Sequence, residues 1–433
     1  MIPRPAGVSL AALVAVAGLA VLTPAPAYAD GDSCDYTDPS TPVDQRPAAS
    51  EPLADLQIDA VHDQLAQGGR APGAGAVVAL LDSGISTDIG VRLRGDLPPR
   101  ELKDWRGTAM AGVIAGPDDE QREVGFAPAA ELVDVPIYDT LQPNDDNELG
   151  LTPDGVATGL TYLADNHASL QTDIAVVPMS VSRSLAMDAA IERLDDLDVI
   201  VVAGSGDRPT QEGDPLYAEY GGLDEDSDGP PSDEDAADDA WPAGYDNGNV
   251  VAVAAAAPDG TASDDVVLRN SEIDLAAPTS GLVGYGLNGT ACVVPGATAA
   301  SGLPLPGSGF AAAEVAGVLA LMETAYDGET AEQLLARLYA TATGSSSVTP
   351  NNVLTGHGII QPLEALTRPL KPSEDGELVT SEVRDRDNVP VAVPESEPDP
   401  LASTRDNAAW WGLLGGGALL VAMVLRPMLA RRR

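Results

Sequence analysis

Five residues in four stretches decide what chemistry this chain can do. Asp82 ends the apolar run of "ALLDSGI", Arg106 opens "WRGTAMAGVIAG", Ser205 lies in "VVAGSGD", and Ser308 and Gly309 open "GSGFAAAEVAGVLAL". A carboxylate at a strand end can orient a base or hold a cation. A guanidinium stays protonated and has no acceptor, so Arg106 cannot take a proton from a hydroxyl. Gly309 has no attacking atom, and a side chain one residue earlier on a helix is rotated by about 100°. Histidine is the usual base near neutral pH. The chain has His62 in a polar N-terminal extension, His167 near a helix end and His357 in the turn "GHGIIQP". None of these settings points to a base.

A separate acidic set has the spacing of a calcium loop. Asp224, Asp226, Asp228 and Asp235 fall at places one, three, five and twelve, with Gly229 at six. The match is partial, because Pro230 and Pro231 follow the glycine and the eighth place carries no apolar side chain of the expected kind. A solvated acidic tract is the favoured reading of the run. No cofactor is assigned, and calcium is carried only as this candidate.

Regular elements must hold these residues. The apolar runs 76–84, 131–139, 174–182, 199–206 and 249–257 read as buried strands. Helical patterns lie between them at 106–115, 154–168 and 184–195, followed by an apolar helix near 310–325 and an amphipathic one at 330–342. Strand and helix in alternation predict an α/β, three-layer fold around a mostly parallel sheet. The segment 207–240 interrupts this with dense charge and is expected to be a loosely held acidic insertion.

The whole chain carries 67 acids against 23 bases, a net charge of −44, which excludes nucleic acid and anionic lipid surfaces as partners. Its ends have a different character. An apolar run after Arg4, followed by Ala27 and Ala29 in a small-x-small pattern, reads as a signal peptide over 1–29. Near the other end, 408–425 is apolar and long enough to cross a bilayer. Trp410 and Trp411 stand at one side, and Arg426, Arg431, Arg432 and Arg433 follow it. That order predicts a single-pass cell-membrane protein with an extracellular body and a cytoplasmic basic tail at 426–433. Between lie an N-terminal extension (30–73), the main domain (74–366) and a Pro-rich, charged linker (367–407). The two cysteines, Cys34 and Cys292, are expected to form one disulfide in an exported protein.

The four stretches, in this order, resemble the subtilisin-like serine proteases over about residues 70–366. "VGFAPAAELVDVPIYD", "WPAGYDNGNVVAVAA", "IDLAAP" and "GHGIIQPLEAL" agree with that likeness. With both terminal segments included, the chain resembles the mycosins, membrane-anchored subtilases of type VII secretion. The resemblance implies a triad of aspartate, histidine and serine plus an oxyanion asparagine. Only Asp82 matches. Arg106 stands for the histidine, Gly309 for the serine, and Ser205 for the asparagine. In the flanking strand the family's Asn-x-Ser-x-Gly has become "PMSVS", from Pro178 to Ser182. The family geometry would set Arg106 facing Asp82, where a two-bonded ion pair could replace the catalytic dyad.

The resemblance, with its losses, implies a catalytically inactive anchored subtilase acting as a structural or assembly component of a type VII secretion channel. Two alternatives are an active serine endopeptidase of the mycosin type with a non-standard site, and an extracellular peptide-binding module.

Overall fold

The structure, a computed structural model, describes residues 49–378 and 402–430 except for 96–100, 118–122, 144–146, 211, 222–229, 232, 247, 300–303 and 345–351. The expected signal peptide, Cys34, Asp224, Asp226, Asp228, the segment 379–401 and Arg431 to Arg433 lie outside the described residues. In chain order the elements are α1 (Glu51–Asp55), α2 (Ile58–Gln67), β1 (Val77–Asp82), β2 (Arg92–Leu93), α3 (Arg106–Ala115), β3 (Glu131–Pro136), α4 (Pro153–Leu170), β4 (Ile174–Val177), α5 (Leu185–Asp195), β5 (Ile200–Gly204), α6 (Tyr217–Tyr220), β6 (Val250–Ala256), β7 (Leu275–Pro278), β8 (Val283–Tyr285), β9 (Ala291–Val293), β10 (Ala297–Thr298), β11 (Pro304–Leu305), α7 (Ser308–Ala325), α8 (Ala331–Thr341), α9 (Pro362–Thr367) and α10 (Ala402–Ala430).

Seven strands form one sheet in the order β2-β3-β1-β4-β5-β6-β7. Every pairing within it is parallel. Strands β1, β4, β5, β6 and β7 are buried along their whole length. That explains their near-continuous Val, Ala and Ile content, since a parallel sheet is covered on both faces. Helices α4 and α5 cover one face through Leu160, Leu163, Met187 and Ile191. Helices α3 and α7 cover the other through Ile114, Val315 and Leu319, with Phe126 from the loop before β3. The chain passes from β1 to β3 on one side and returns to β4 on the other. Such a reversal opens a crevice at the carboxyl ends of the strands. Asp82, Pro178 and Ser205 all stand there.

Helix α7 is apolar and long enough to cross a membrane, yet it is almost entirely buried in the domain. It is the central core helix. The other such helix window, Asn407–Arg426, is fully exposed and belongs to a separate unit, residues 380–433. The N-terminal extension is packed where it is described. The Ser50 amide donates to Glu123 O, Ser50 Oγ accepts from the Val283 amide, and His62 Nε2 lies 2.7 Å from Phe126 O. The linker also starts later than expected. Gln333 Nε2 donates to Pro372 O at 3.2 Å and Arg368 Nη1 to Ala340 O at 3.1 Å, so the chain stays on the domain past Thr367.

The acidic insertion is not loose where it is described. Arg208 donates to both oxygens of Glu234, with Nη1–Oε2 3.1 Å and Nη2–Oε1 2.5 Å. The two side chains are 6% and 7% exposed. Arg208 Nε also donates to Asp264 O at 2.6 Å. Ala236, Ala240 and Leu268 form a small core beside them. Composition signalled solvation, but one buried ion pair and a few alanines anchor both ends of the segment. Removing one partner of a buried pair strands the other charge. Glu234→Ala is expected to lower unfolding free energy by about 3 kcal/mol, read by urea denaturation at pH 7. A change under about 0.5 kcal/mol would show that the pair contributes nothing beyond an exposed one.

Candidate functional site

Asp82 ends β1 and is buried. Its Oδ1 accepts from the Ser83 amide (2.7 Å), Ser83 Oγ (3.0 Å) and Tyr138 Oη (2.9 Å). Its Oδ2 has no hydrogen-bond partner. Burial pushes the carboxyl up to about 6, and Asp104 pushes the same way, against the Ser83 amide, the Tyr138 hydroxyl and Arg106. Tyr138 is fully buried and held well above its ordinary value by burial and by Asp82, so it remains a donor.

Helix α3 starts beside this carboxylate without a side-chain cap on its N-cap residue, Trp105. The Arg106 amide instead donates to Asp104 Oδ1 at 3.0 Å, and the Gly107 amide to Ser83 Oγ at 3.1 Å. A Cβ on Gly107 would stand 2.6 Å from Gly84 O and 3.1 Å from Asp82 Oδ1. Only glycine lets the helix press this closely on the end of β1. The expected two-bonded pair between Arg106 and Asp82 is absent. The guanidinium makes no hydrogen bond or ion pair among the described residues; it lines a cleft instead. Ser83 and Tyr138 fill Asp82 Oδ1, while Oδ2 is left without a hydrogen-bond partner. Arg106 acts on Asp82 through its field alone.

The cleft, about 320 Å³, runs over the strand ends between α3 and α7. Gly309 lies on its wall, in the first turn of α7. A Cβ there would fall 2.5 Å from Pro178 O, 3.0 Å from Pro178 Cβ and 3.2 Å from Met110 Cε. The backbone after β4 has closed onto the position where a nucleophile's side chain would begin. Ser308 is buried, and its Oγ accepts from the Gly206 amide at 3.3 Å. No histidine lines the cleft. His357 stacks on Tyr339 and is lowered by burial, and His62 and His167 stand elsewhere in the fold.

Ser205 does not reach the cleft. Its hydroxyl is buried and has no partner, while its carbonyl accepts from Asn270 Nδ2 at 3.1 Å. The residue that enters the cleft from this turn is Asp207. Its Oδ1 accepts from the Ser308 amide at 2.7 Å, so it caps the start of α7. Burial raises its carboxyl, while the bonds from Ser308 and the nearby Arg106 pull it back. Asp207 and Tyr138 were both missed in the sequence. Asp207 was there to be found at the end of "VVAGSGD", by counting to the last residue of the turn. Tyr138 needed the β1–β3 register, which pairs Asp82 with Pro136.

Cys292, on β9, is disulfide-bonded. The other cysteine, Cys34, lies outside the described residues. Of the acidic calcium candidates only Asp235 is described. Its Oδ1 accepts from the Ser271 amide (2.9 Å) and the Ala237 amide (3.2 Å), so backbone already uses it. No group of three metal-ligating side chains occurs among the described residues.

With this geometry in place, the likenesses to known proteins can be set beside it. A family model described as the subtilase family matches residues 73–359. Mycosin-1 of Mycobacterium tuberculosis is 28% identical over 408 residues, covering 83% of this chain and 86% of that protein. A thermostable alkaline protease of Halalkalibacterium halodurans is 27% identical over 305 residues, covering 69% and 71%. Among solved structures, an intact ESX-5 inner membrane complex contains a chain of the same fold, with TM-score 0.53 and 21% identity, covering 91% of this chain and 92% of that one.

Proposed function

The chain belongs to the subtilase family, and we propose that within it this protein is a catalytically inactive, membrane-anchored mycosin-type member that serves a type VII secretion system as a structural or assembly component. One observation carries the loss of activity: Gly309, whose Cβ would meet the Pro178 carbonyl at 2.5 Å. A nucleophile is missing, and so is the room for one. The cleft also lacks an imidazole, and Arg106 cannot accept a proton. The structural role is supported from another side. The likeness to mycosin-1 spans 83% of the chain, beyond the subtilase match, and a fold neighbour is a chain of the ESX-5 inner membrane complex. A core and strand order kept while the chemistry is dismantled fits selection on surface and shape.

The exposed apolar window of α10 supports anchoring, and the arginines after it support an outward-facing domain. The reading of an active endopeptidase with a non-standard site would need Ser308 as nucleophile. Ser308 Oγ is buried between the Gly206 amide and Asp207, with no imidazole near. The decisive experiment is affinity purification of the anchored chain from its own membrane in mild detergent. Type VII channel subunits are expected to co-purify in defined stoichiometry, and no fluorophosphonate label should appear on this chain. Recovery as a lone monomer while the channel remains intact would sink the structural role.

A further inference from the structure

Arg106 is a cation with nothing to hold. Arg94, Arg183, Arg193, Arg208, Arg269 and Arg337 each sit in an ion pair. Arg106 makes none among the described residues, in a protein with 67 acids to 23 bases. Two carboxylates lie close enough to act on it, or it on them, yet neither is bonded to it, and Asp82 Oδ2 has no hydrogen-bond partner. Asp82 gives its bonded oxygen to Ser83 and Tyr138, and Asp207 gives one to the Ser308 amide. The guanidinium is therefore kept in the cleft by field, with its donor edge unspent.

The shape of the cleft limits what can use that edge. Its lining includes the apolar side chains Met110, Pro178, Phe310 and Trp105, with Asp207 also near Arg106. Trp105, beside Arg106, stacks on Phe310, beside Gly309, with ring centroids 6.0 Å apart and 19° between planes. This stack joins the starts of α3 and α7. A chain that ended beside it would present its own terminal carboxylate to Arg106.

We infer that the cleft is a capture site for the free C-terminal carboxylate of a polypeptide, held by Arg106, with apolar terminal side chains against Met110, Pro178 and Phe310. A carboxylate meets the two parallel N–H donors of a guanidinium, and an apolar lining with a few placed polar groups is what such pockets use to fix orientation; here Arg106 shares the cleft with Asp207, Arg208 and Asp214. This rests on the non-hydrolytic reading of the cleft, since a working protease would turn the chain over instead of holding it. No bond is made or broken.

The test uses the full anchored protein in detergent and fluorescence anisotropy. The probe is an N-terminally fluorescein-labelled peptide of five alanines and a final leucine, compared with its C-terminal amide. The free acid is expected to bind about tenfold more tightly, as one charge-assisted contact implies. Arg106→Gln should abolish that preference, and Arg106→Lys should keep part of it. Equal binding of acid and amide by the native protein, or binding of neither, overturns the capture site and leaves the pseudoprotease reading standing. Release of shortened fluorescent fragments, seen by mass spectrometry, overturns both. The native acid-against-amide comparison decides the matter even where an Arg106 variant fails to fold.

Discussion

The purified domain is expected to cleave no peptide bond, and returning the two missing side chains is not expected to revive it. Arg106→His together with Gly309→Ser is expected to give neither turnover nor fluorophosphonate labelling. A triad acts as a unit, and its loss removes on the order of 10⁶-fold in rate. Rebuilding it needs geometry as well as atoms. Serine at 309 begins with a Cβ 2.5 Å from Pro178 O and 3.0 Å from Pro178 Cβ. The carbonyl belongs to backbone beside the buried strand β4, so it cannot swing aside as a flexible side chain would. The same carbonyl lies 2.7 Å from where a Cβ on Gly204 would be, so Pro178 is pressed between β5 and α7. Overpacking of this kind costs about 1–3 kcal/mol, and Gly309→Ser alone should lower the urea midpoint accordingly. Hydrolysis by the native domain that vanishes in both Asp82→Ala and Ser308→Ala would mean that a working site had been overlooked.

Raising the pH from 5 to 9 should unfold this protein more readily, and one buried and two half-buried carboxyls account for it. Glu314, in the middle of α7, is wholly buried with neither oxygen bonded. Burial, with Asp55 adding to it, pushes it well above the ordinary value of 4.5. Burial carries Glu323 to about 8, with Asp173 and Asp198 adding to it. Asp274 goes to about 7, also chiefly by burial, against the pull of the Ala252 amide. A carboxyl whose value is higher folded than unfolded binds more protons in the folded state across the interval between the two. Stability is then fully present below the unfolded value, near pH 4, and is lost as pH climbs through the folded one. Shifts from 3.8 to about 7 and from 4.5 to about 8 convert to about 4 and about 5 kcal/mol at full ionisation.

Relaxation and water entry reduce the sum, and a loss on the order of 5 kcal/mol between pH 5 and pH 9 is expected by urea denaturation. Glu314→Gln isolates one contributor. It should change stability little at pH 4.5, where the native side chain is neutral, and raise it by about 2 kcal/mol or more at pH 8.5. A variant whose gain is equal at both pH values would show that Glu314 does not titrate in this interval. The net charge of −44 works in the same direction, because self-repulsion grows as the last carboxyls ionise.

Much of the frame was legible before any coordinates. The helix expected at 106–115 is α3 to the residue, and each expected strand contains an observed one. Buried parallel strands have to be runs of Val, Ile and Ala, and such runs stand out between helical periodicities. The short hairpin β8–β9 was not legible, since three-residue strands carry no usable period. The acidic insertion misled for a related reason. Its average composition is that of solvated chain, but its placement depends on one pair, Arg208 with Glu234, whose members are 26 residues apart.

What the sequence determined by itself is an inventory. A carboxylate remained at Asp82, a guanidinium replaced the base at 106, and glycine replaced the nucleophile at 309; residue types alone forbid the usual proton transfer. What the tertiary structure decided is where those groups point. Arg106 lines the cleft without bonding Asp82, Asp207 and not Ser205 lines it too, and the Pro178 carbonyl stands where the lost side chain would begin. These outcomes depend on contacts a few tenths of an ångström wide between β4, β5, α3 and α7. Segments that distant in the chain meet only through the sheet register and the packing of glycines against backbone, which no local pattern of residues encodes.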